Sequence, residues 1–153
     1  MNIYIKNSLI LIILLIIGGV ILYIVTSNAL YSGPDGDNLF EKLSDDMCTE
    51  NGAPLIRYYS TTWCPHCQYI DPVFDQVMSE YEGRITVKHF VIDLEAPSEE
   101  DMNEFKRFAP NGNIPAFSFG CEYYRIGNSF ESSGNLAAEA QEFRRVIDIL
   151  LNE

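Results

Sequence analysis

From Leu9 to Val25 the chain reads Leu-Ile-Leu-Ile-Ile-Leu-Leu-Ile-Ile-Gly-Gly-Val-Ile-Leu-Tyr-Ile-Val. No charged side chain stands between Lys6 and Asp35. A helix in a soluble core keeps a polar stripe for water, and this run has none. With Asn7, Ser8 and Thr26 at its ends, it spans roughly 25–30 Å as a helix, the thickness of a bilayer's hydrocarbon layer. The run predicts a membrane-inserted segment, and Tyr4 and Tyr23 fall where interfacial aromatics sit. A cleaved signal peptide is the competing reading, with Ser27-Asn28-Ala29 resembling its small-x-small site. The run is longer than the ~7–15 residues of a signal-peptide core, which favours an uncleaved anchor. Lys6 and the α-amino group hold the short side in the cytoplasm, so the rest of the chain is expected outside it, where disulfides persist.

The remainder has the composition of one soluble domain. The chain is 153 residues long, and 12% of them are aromatic, enough for a core and too many for general disorder. Four cysteines are too few for a disulfide scaffold. The net charge is −12, and every carboxylate lies at or after Asp35. A surface that acidic repels phosphate backbones, so nucleic acid is excluded as a partner; solubility is the plain reading of the charge.

Residues 1–29 are therefore expected to be the anchor, 30–36 a linker and 37–153 the folded domain. Tyr31–Gly36 is linker-like through Ser-Gly-Pro-Asp-Gly. Asp37 can cap a helix carrying Leu39, Phe40, Leu43 and Met47 that stops near Gly52. Pro54–Ser60 has strand composition. After Cys-Pro-His-Cys comes a helix with Ile70, Val73, Phe74, Val77 and Tyr81 on one face, stopped at Gly83. Ile85–Asp93 is a second strand. Ser98 and Asp101 open a helix with Met102, Phe105 and Phe108 inward. Ala116–Phe119 and Glu122–Ile126 form a hairpin across Gly120-Cys121, and Leu136–Leu151 is a closing helix with Phe143, Val146, Ile147 and Leu150 buried. Strands joined through a helix are parallel with a right-handed crossover. The expected fold is α/β: a mixed central sheet flanked by helices on both faces.

The chemistry concentrates at Cys64-Pro65-His66-Cys67. Cysteines two residues apart at a helix start can join in a disulfide without unwinding the helix. The first thiol meets unpaired backbone N–H groups and the positive end of the macrodipole. These favour a thiolate, so Cys64 is the expected nucleophile and Cys67 the resolving thiol. A protonated His66 favours the Cys64 thiolate further, which makes the disulfide form more oxidising. The alternative is half a zinc site, but that needs two more ligands, and the other thiols, Cys48 and Cys121, are expected elsewhere.

These residues resemble the thioredoxin family. Trp63-Cys64-Pro65-His66-Cys67 is similar to the family's active-site pentapeptide, with the Pro-His dipeptide of its strongly oxidising bacterial members. Pro72, Val91-Ile92-Asp93 and Asn113-Ile114-Pro115-Ala116 match further family positions, the last its cis-proline loop. The likeness runs from about Asp37 to Glu153. It implies a thioredoxin fold in which Pro115 places the Ile114 backbone beside the sulfurs as a substrate-binding edge, with Pro65 beside it and Trp63 as a flanking platform. A solely structural Trp63 is the other reading.

Three departures stand out. The family's buried carboxylate, six residues before the first active-site cysteine, is replaced by Tyr58, and its neighbouring lysine by His89. Either residue is a candidate for proton transfer to Cys67, with plain strand core as the alternative. The last hairpin is shorter than in thioredoxin, and the helical insertion of the oxidases is missing. The element order sends Cys48, at the end of the first helix, and Cys121, after Ala116–Phe119, to the pole of the sheet away from Cys64. There they are expected to form a structural disulfide, against two buried free thiols. The resemblance implies a thiol–disulfide oxidoreductase, and with the apolar run it is expected to be tethered outside the cytoplasm, working as oxidase or isomerase. A reductase or a non-catalytic chaperone module is the alternative. Its partners would be protein thiol and disulfide substrates, a redox partner that nothing in the sequence names, and the membrane through Leu9–Val25. No metal or other cofactor is called for.

Overall fold

The structure, a computed structural model, describes residues 39–153. The apolar run Leu9–Val25, the linker and the Asp37 cap lie outside the described residues. Among the described residues no helix is long and apolar enough to cross a membrane. The elements are β1 (Glu41–Lys42), β2 (Thr49–Glu50), β3 (Ala53–Ser60), α1 (Pro65–Glu80), β4 (Thr86–Val91), α2 (Glu99–Phe108), β5 (Ala116–Phe119), β6 (Tyr123–Ile126), a 3-10 turn (Glu131–Ser133) and α3 (Leu136–Leu150).

β3 is the axis of the sheet. β4 pairs with it in parallel, Tyr58 opposite His89, and β5 pairs antiparallel on its other side, Tyr58 opposite Phe117. β6 continues outward from β5, and β1 pairs antiparallel with β6. Alternation along β3 sorts its side chains between two layers. Ile56 and Tyr58 join Phe117 and Phe119 beneath Ile70, Phe74 and Val77 of α1 and Phe143, Val146 and Ile147 of α3. Tyr59 and Ala116 face the other way, against Phe105 and Ala109 at the α2 end. Burying one such large apolar side chain contributes roughly 1.5–3 kcal/mol.

The helix expected from Asp37 toward Gly52 is not there. The segment holds two short strands instead. Phe40 is buried, but Leu39 and Leu43 are exposed, so the spaced apolar residues do not share one buried stripe. Long-range backbone pairing claims the segment. Glu41 and Lys42 pair with Tyr124 and Tyr123 of β6. The Leu43 N–H donates to the Glu122 carbonyl at 2.8 Å, and the Cys48 N–H to that of Gly120 at 2.7 Å. Between them the Asp46 N–H donates to Ser44 Oγ, a local bond that competes with a helix. Asn51 and Gly52, at φ 56° and 80°, form the turn of the β2–β3 hairpin, for which Asn-Gly is the favoured pair.

One buried ion pair braces the last third of the chain. Arg125 and Glu139 are fully buried, with Nη1 donating to Oε2 at 3.0 Å. Burial pushes the Arg125 guanidinium down to about 10, with Glu139 opposing, so it stays cationic at neutral pH. The rings of Phe40, Phe117 and Phe143 lie 4.9, 4.7 and 4.5 Å from its central carbon, cation–π contacts for a group whose Nε and Nη2 lack hydrogen-bond partners. Glu139 also accepts from the Phe130 N–H at 2.7 Å, which ties the turn before α3 to that helix.

Candidate active site

The site forms where β3 ends and α1 begins. Cys64 is the N-cap of α1, and Pro65 opens its first turn, where no backbone donor is needed. The Cys64 sulfur accepts from the Cys67 N–H at 3.2 Å, so a free helix-end donor points at it. The two sulfurs form a disulfide with Cα atoms 5.2 Å apart. Cys64 is 3% exposed and Cys67 is fully buried, which orders them as outer and inner sulfur.

The loop before Cys64 is fixed from outside the helix. Asp93, just after β4, accepts from the Thr62 N–H at 2.9 Å and from the Thr62 hydroxyl. Hydrogen bonding by Thr62 holds the Asp93 carboxyl below its usual range. The Gln68 side chain donates to the Thr62 carbonyl at 2.9 Å. Trp63 projects into solvent from this loop, 70% exposed.

Across from Cys64 the Ile114–Pro115 peptide is cis. Ile114 and Pro115 line an open groove of about 470 Å³ together with His66, Gly127, Asn128 and Glu131. His66 is exposed, and its Nδ1 lies 2.8 and 2.9 Å from the two Glu131 carboxylate oxygens. Asn128 completes the cluster, its Nδ2 donating to the His66 carbonyl and to Glu131 Oε2, each at 2.8 Å.

Beneath the helix, Tyr58 and His89 stack with ring centroids 4.2 Å apart. The Tyr58 hydroxyl donates to Asp71 Oδ1 at 2.6 Å, and His89 Nε2 pairs with Ser60 Oγ at 2.7 Å. Burial, reinforced by Asp71, pushes the Tyr58 phenol far above its usual range, so it stays protonated. Burial pushes the His89 imidazole down, only partly opposed by Asp71 and Asp75. Cys48 and Cys121 form a second disulfide, Cα atoms 5.3 Å apart, beside the first residues of β3.

Sequence reasoning missed Asp71, Glu131 and Asn128. Asp71 follows Cys67 by four residues, one helical turn on the same face, a spacing legible in the sequence. Glu131 and Asn128 carry no such signal, because only the fold brings them to His66. Among the described residues no cluster of three or more His, Cys, Asp or Glu side chains is placed to hold a metal.

A vicinal cysteine pair in disulfide range, at the start of a helix that leaves a mixed sheet, defines a thiol–disulfide oxidoreductase. The thioredoxin family model matches residues 37–109. Thioredoxin of Thiocapsa roseopersicina is 32% identical over 68 residues, 44% of this chain and 68% of that protein. The chain belongs to the thioredoxin family. Thioredoxin H5 of Arabidopsis thaliana is 27% identical over 103 residues, 65% of this chain and 86% of its own length. Staphylococcus aureus thioredoxin is 34% identical over 53 residues, 35% of this chain and 49% of its own. Among solved structures, an oxidised mutant of DsbA1 matches with a TM-score of 0.36 and 12% identity, over 78% of this chain and 97% of that one.

Proposed function

We propose that the chain is a membrane-tethered, extracytoplasmic thiol–disulfide oxidoreductase that works on protein substrates as an oxidase or isomerase. The apolar run Leu9–Val25 supports the tether, and Lys6 with the α-amino group on its short side supports the orientation. The observation that carries the oxidising direction is the Cys64 sulfur at the α1 N-terminus, accepting a backbone N–H, with His66 two residues on. Both features favour the reduced Cys64 as a thiolate, and stabilising the reduced form raises the potential of the pair.

The exchange balances in two displacements. A substrate thiolate attacks Cys64 Sγ, the Cys64–Cys67 bond breaks, and Cys67 leaves with the electron pair. A second substrate thiolate then attacks the substrate sulfur of the mixed disulfide and releases Cys64 as a thiolate. The substrate gains a disulfide, the protein is left with two thiols' worth of electrons, and a redox partner must remove them. Isomerisation starts with the second displacement in reverse, a Cys64 thiolate attacking a substrate disulfide and releasing a substrate thiolate. The Ile114 backbone and the groove beside Pro115 hold the substrate segment, as the edge of a sheet holds an added strand. Trp63 offers an apolar flank. We assign the exchange of a proton with Cys67 to Asp71 or His89, while Tyr58, which stays protonated, only donates its hydrogen bond to Asp71.

A reductase is the second reading, and Glu131 favours it. A carboxylate on His66 offsets the positive charge that would favour the Cys64 thiolate. The reduction potential of Cys64–Cys67 in glutathione buffers decides between them. A value near the ~−120 mV of the strongly oxidising bacterial members supports the oxidase, and one near the ~−270 mV of thioredoxin assigns the reductase.

A further inference from the structure

The second disulfide has surroundings that a passive cross-link does not need. Cys48 and Cys121 lie at the start of β3, a strand's length from Cys64, and border an open groove of about 650 Å³. Arg57, on β3, is 2% exposed. Its Nη1 donates to Cys121 Sγ at 3.2 Å. Its Nε is held by Asp101 Oδ1 at 2.8 Å, and its Nη2 faces Glu100 at 3.7 Å. The carboxylates of α2 thus fix the guanidinium on one side and leave one N–H arm turned onto sulfur. A second cation bears on the same residue: Arg107 Nη2 donates to the Cys121 carbonyl at 3.1 Å, while its Nε is paired with Glu104.

A disulfide sulfur is a weak acceptor, whereas a thiolate makes a charge-assisted hydrogen bond. A guanidinium in this position therefore stabilises the reduced pair more than the oxidised one, and it makes Cys121 the better leaving group. Cys121 also holds φ at 59°, a left-handed conformation that L residues rarely adopt. The two sulfurs differ in access. Both border the groove, but Cys121 is buried while Cys48 is half-buried.

We propose that Cys48–Cys121 is a second redox site, opened by low-molecular-weight thiols through attack at Cys48, with Cys121 leaving as a thiolate held by Arg57. The thiolate attacks Cys48 Sγ, and the Cys48–Cys121 bond breaks with its electron pair on Cys121. A second thiolate attacks the small-thiol sulfur of the mixed disulfide and releases Cys48, which takes up a proton. Two small thiols are oxidised to their disulfide as one protein disulfide is reduced. The segment that opening would free carries β1 and β2, fastened to the β5–β6 turn through Cys48.

The test uses the full-length chain with Cys64→Ser and Cys67→Ser, so that the outcome is independent of the function proposed above. The protein is equilibrated in glutathione buffers, and free Cys48 and Cys121 are read by differential alkylation and peptide mass. The expected result is opening by millimolar reduced glutathione, where structural disulfides stay closed. Arg57→Met should lower the equilibrium constant for opening at least tenfold, with Arg57→Lys recovering part of the loss. A measurement without any Arg57 variant covers the case in which these fail to fold. In the reduced protein the alkylation rate of Cys121 should reach half its maximum at a pH below the ~8.5 of an ordinary thiol. A pair that stays closed in these buffers, or a Cys121 that titrates at or above that value, overturns the proposal.

Discussion

At the scale of single residues, the two active-site sulfurs differ in burial, and their roles should differ accordingly. With Cys67→Ser the mixed disulfide at Cys64 has no internal resolving thiol. Substrate proteins should then accumulate as adducts on Cys64, visible as reducible high-mass bands on a non-reducing gel. A Cys67→Ser protein that stays alkylatable at Cys64 yet captures nothing would argue against the catalytic assignment. Glu131 offers a finer test. Glu131→Gln removes the carboxylate that faces His66 and should make the pair more oxidising. An exposed ion pair is worth ~0.2–1 kcal/mol, so the shift should be roughly 5–20 mV. His66→Pro should move the potential the other way and abolish the effect of Glu131→Gln. A shift by Glu131→Gln that persists in the His66→Pro background would mean that the carboxylate does not act through the imidazole. The cysteines and His66 were legible because their chemistry is local, three positions apart at a helix start. Glu131 was not, because its sequence distance from His66 is spanned only by the folded sheet.

At the scale of elements, the stretch from Leu39 to Gly52 shows where pattern reading fails. Its apolar residues recur at helical spacing, yet among them only Phe40 is buried, and the backbone instead finds partners on β6 and at Gly120. Periodicity reports a face, and it cannot tell whether a sheet edge elsewhere in the chain is waiting for a strand. Conversely, α1, α2 and α3 were readable because each carries one apolar face at helical spacing, and in the structure each is also capped, with Cys64, Ser98 and Asn135 accepting from the N–H three residues on. The Cys48–Cys121 bridge closes a 73-residue separation and fastens the short strands to the β5–β6 turn. Replacing both cysteines with Ala should lower unfolding free energy by at most ~4 kcal/mol, read from denaturant melts, while disulfide exchange at Cys64 continues. Loss of exchange together with stability would show that the two disulfides are coupled.

At the scale of the whole molecule, several carboxylates are held below their usual range, and the protein should be sensitive to acid. Burial pushes the Asp101 carboxyl up, but hydrogen bonds from Arg57 and Ser98 and the charges of Arg57 and Lys88 outweigh it. Hydrogen bonding by Arg144 holds Glu80 low in the same way, as Thr62 does Asp93. A carboxyl held low in the folded state contributes stability that is complete above its unfolded value, ~4, and is lost as pH falls through the folded value. Stability should therefore decline below about pH 4. Asp101→Asn removes the carboxylate that holds the buried Arg57 Nε, leaving the guanidinium only the more distant Glu100; it should cost roughly 1–3 kcal/mol at neutral pH and should flatten the acid limb of the stability curve. An unchanged acid limb would remove Asp101 from that account. Topology is the other whole-molecule test. If Leu9–Val25 anchors the chain with Lys6 inside, protease added to intact spheroplasts should digest the domain. Complete protection, reversed by detergent, would place the domain in the cytoplasm and withdraw the oxidising compartment from the proposal.

Arg125 and Glu139 lie beneath the turn that carries Asn128 and Glu131, with three aromatic rings closed around the cation. The wall of the groove beside Pro115 is thereby bolted to the centre of the molecule. A mould that cannot flex leaves all the bending to whatever is pressed against it. Polypeptides still pliable around their cysteines could adapt to it, at the cost of the conformational entropy they lose on docking, while finished, rigid ones that do not match it would be turned away. Selection by pliancy, with no sequence being read, would let one small enzyme serve many clients and release each when its own folding stiffens it.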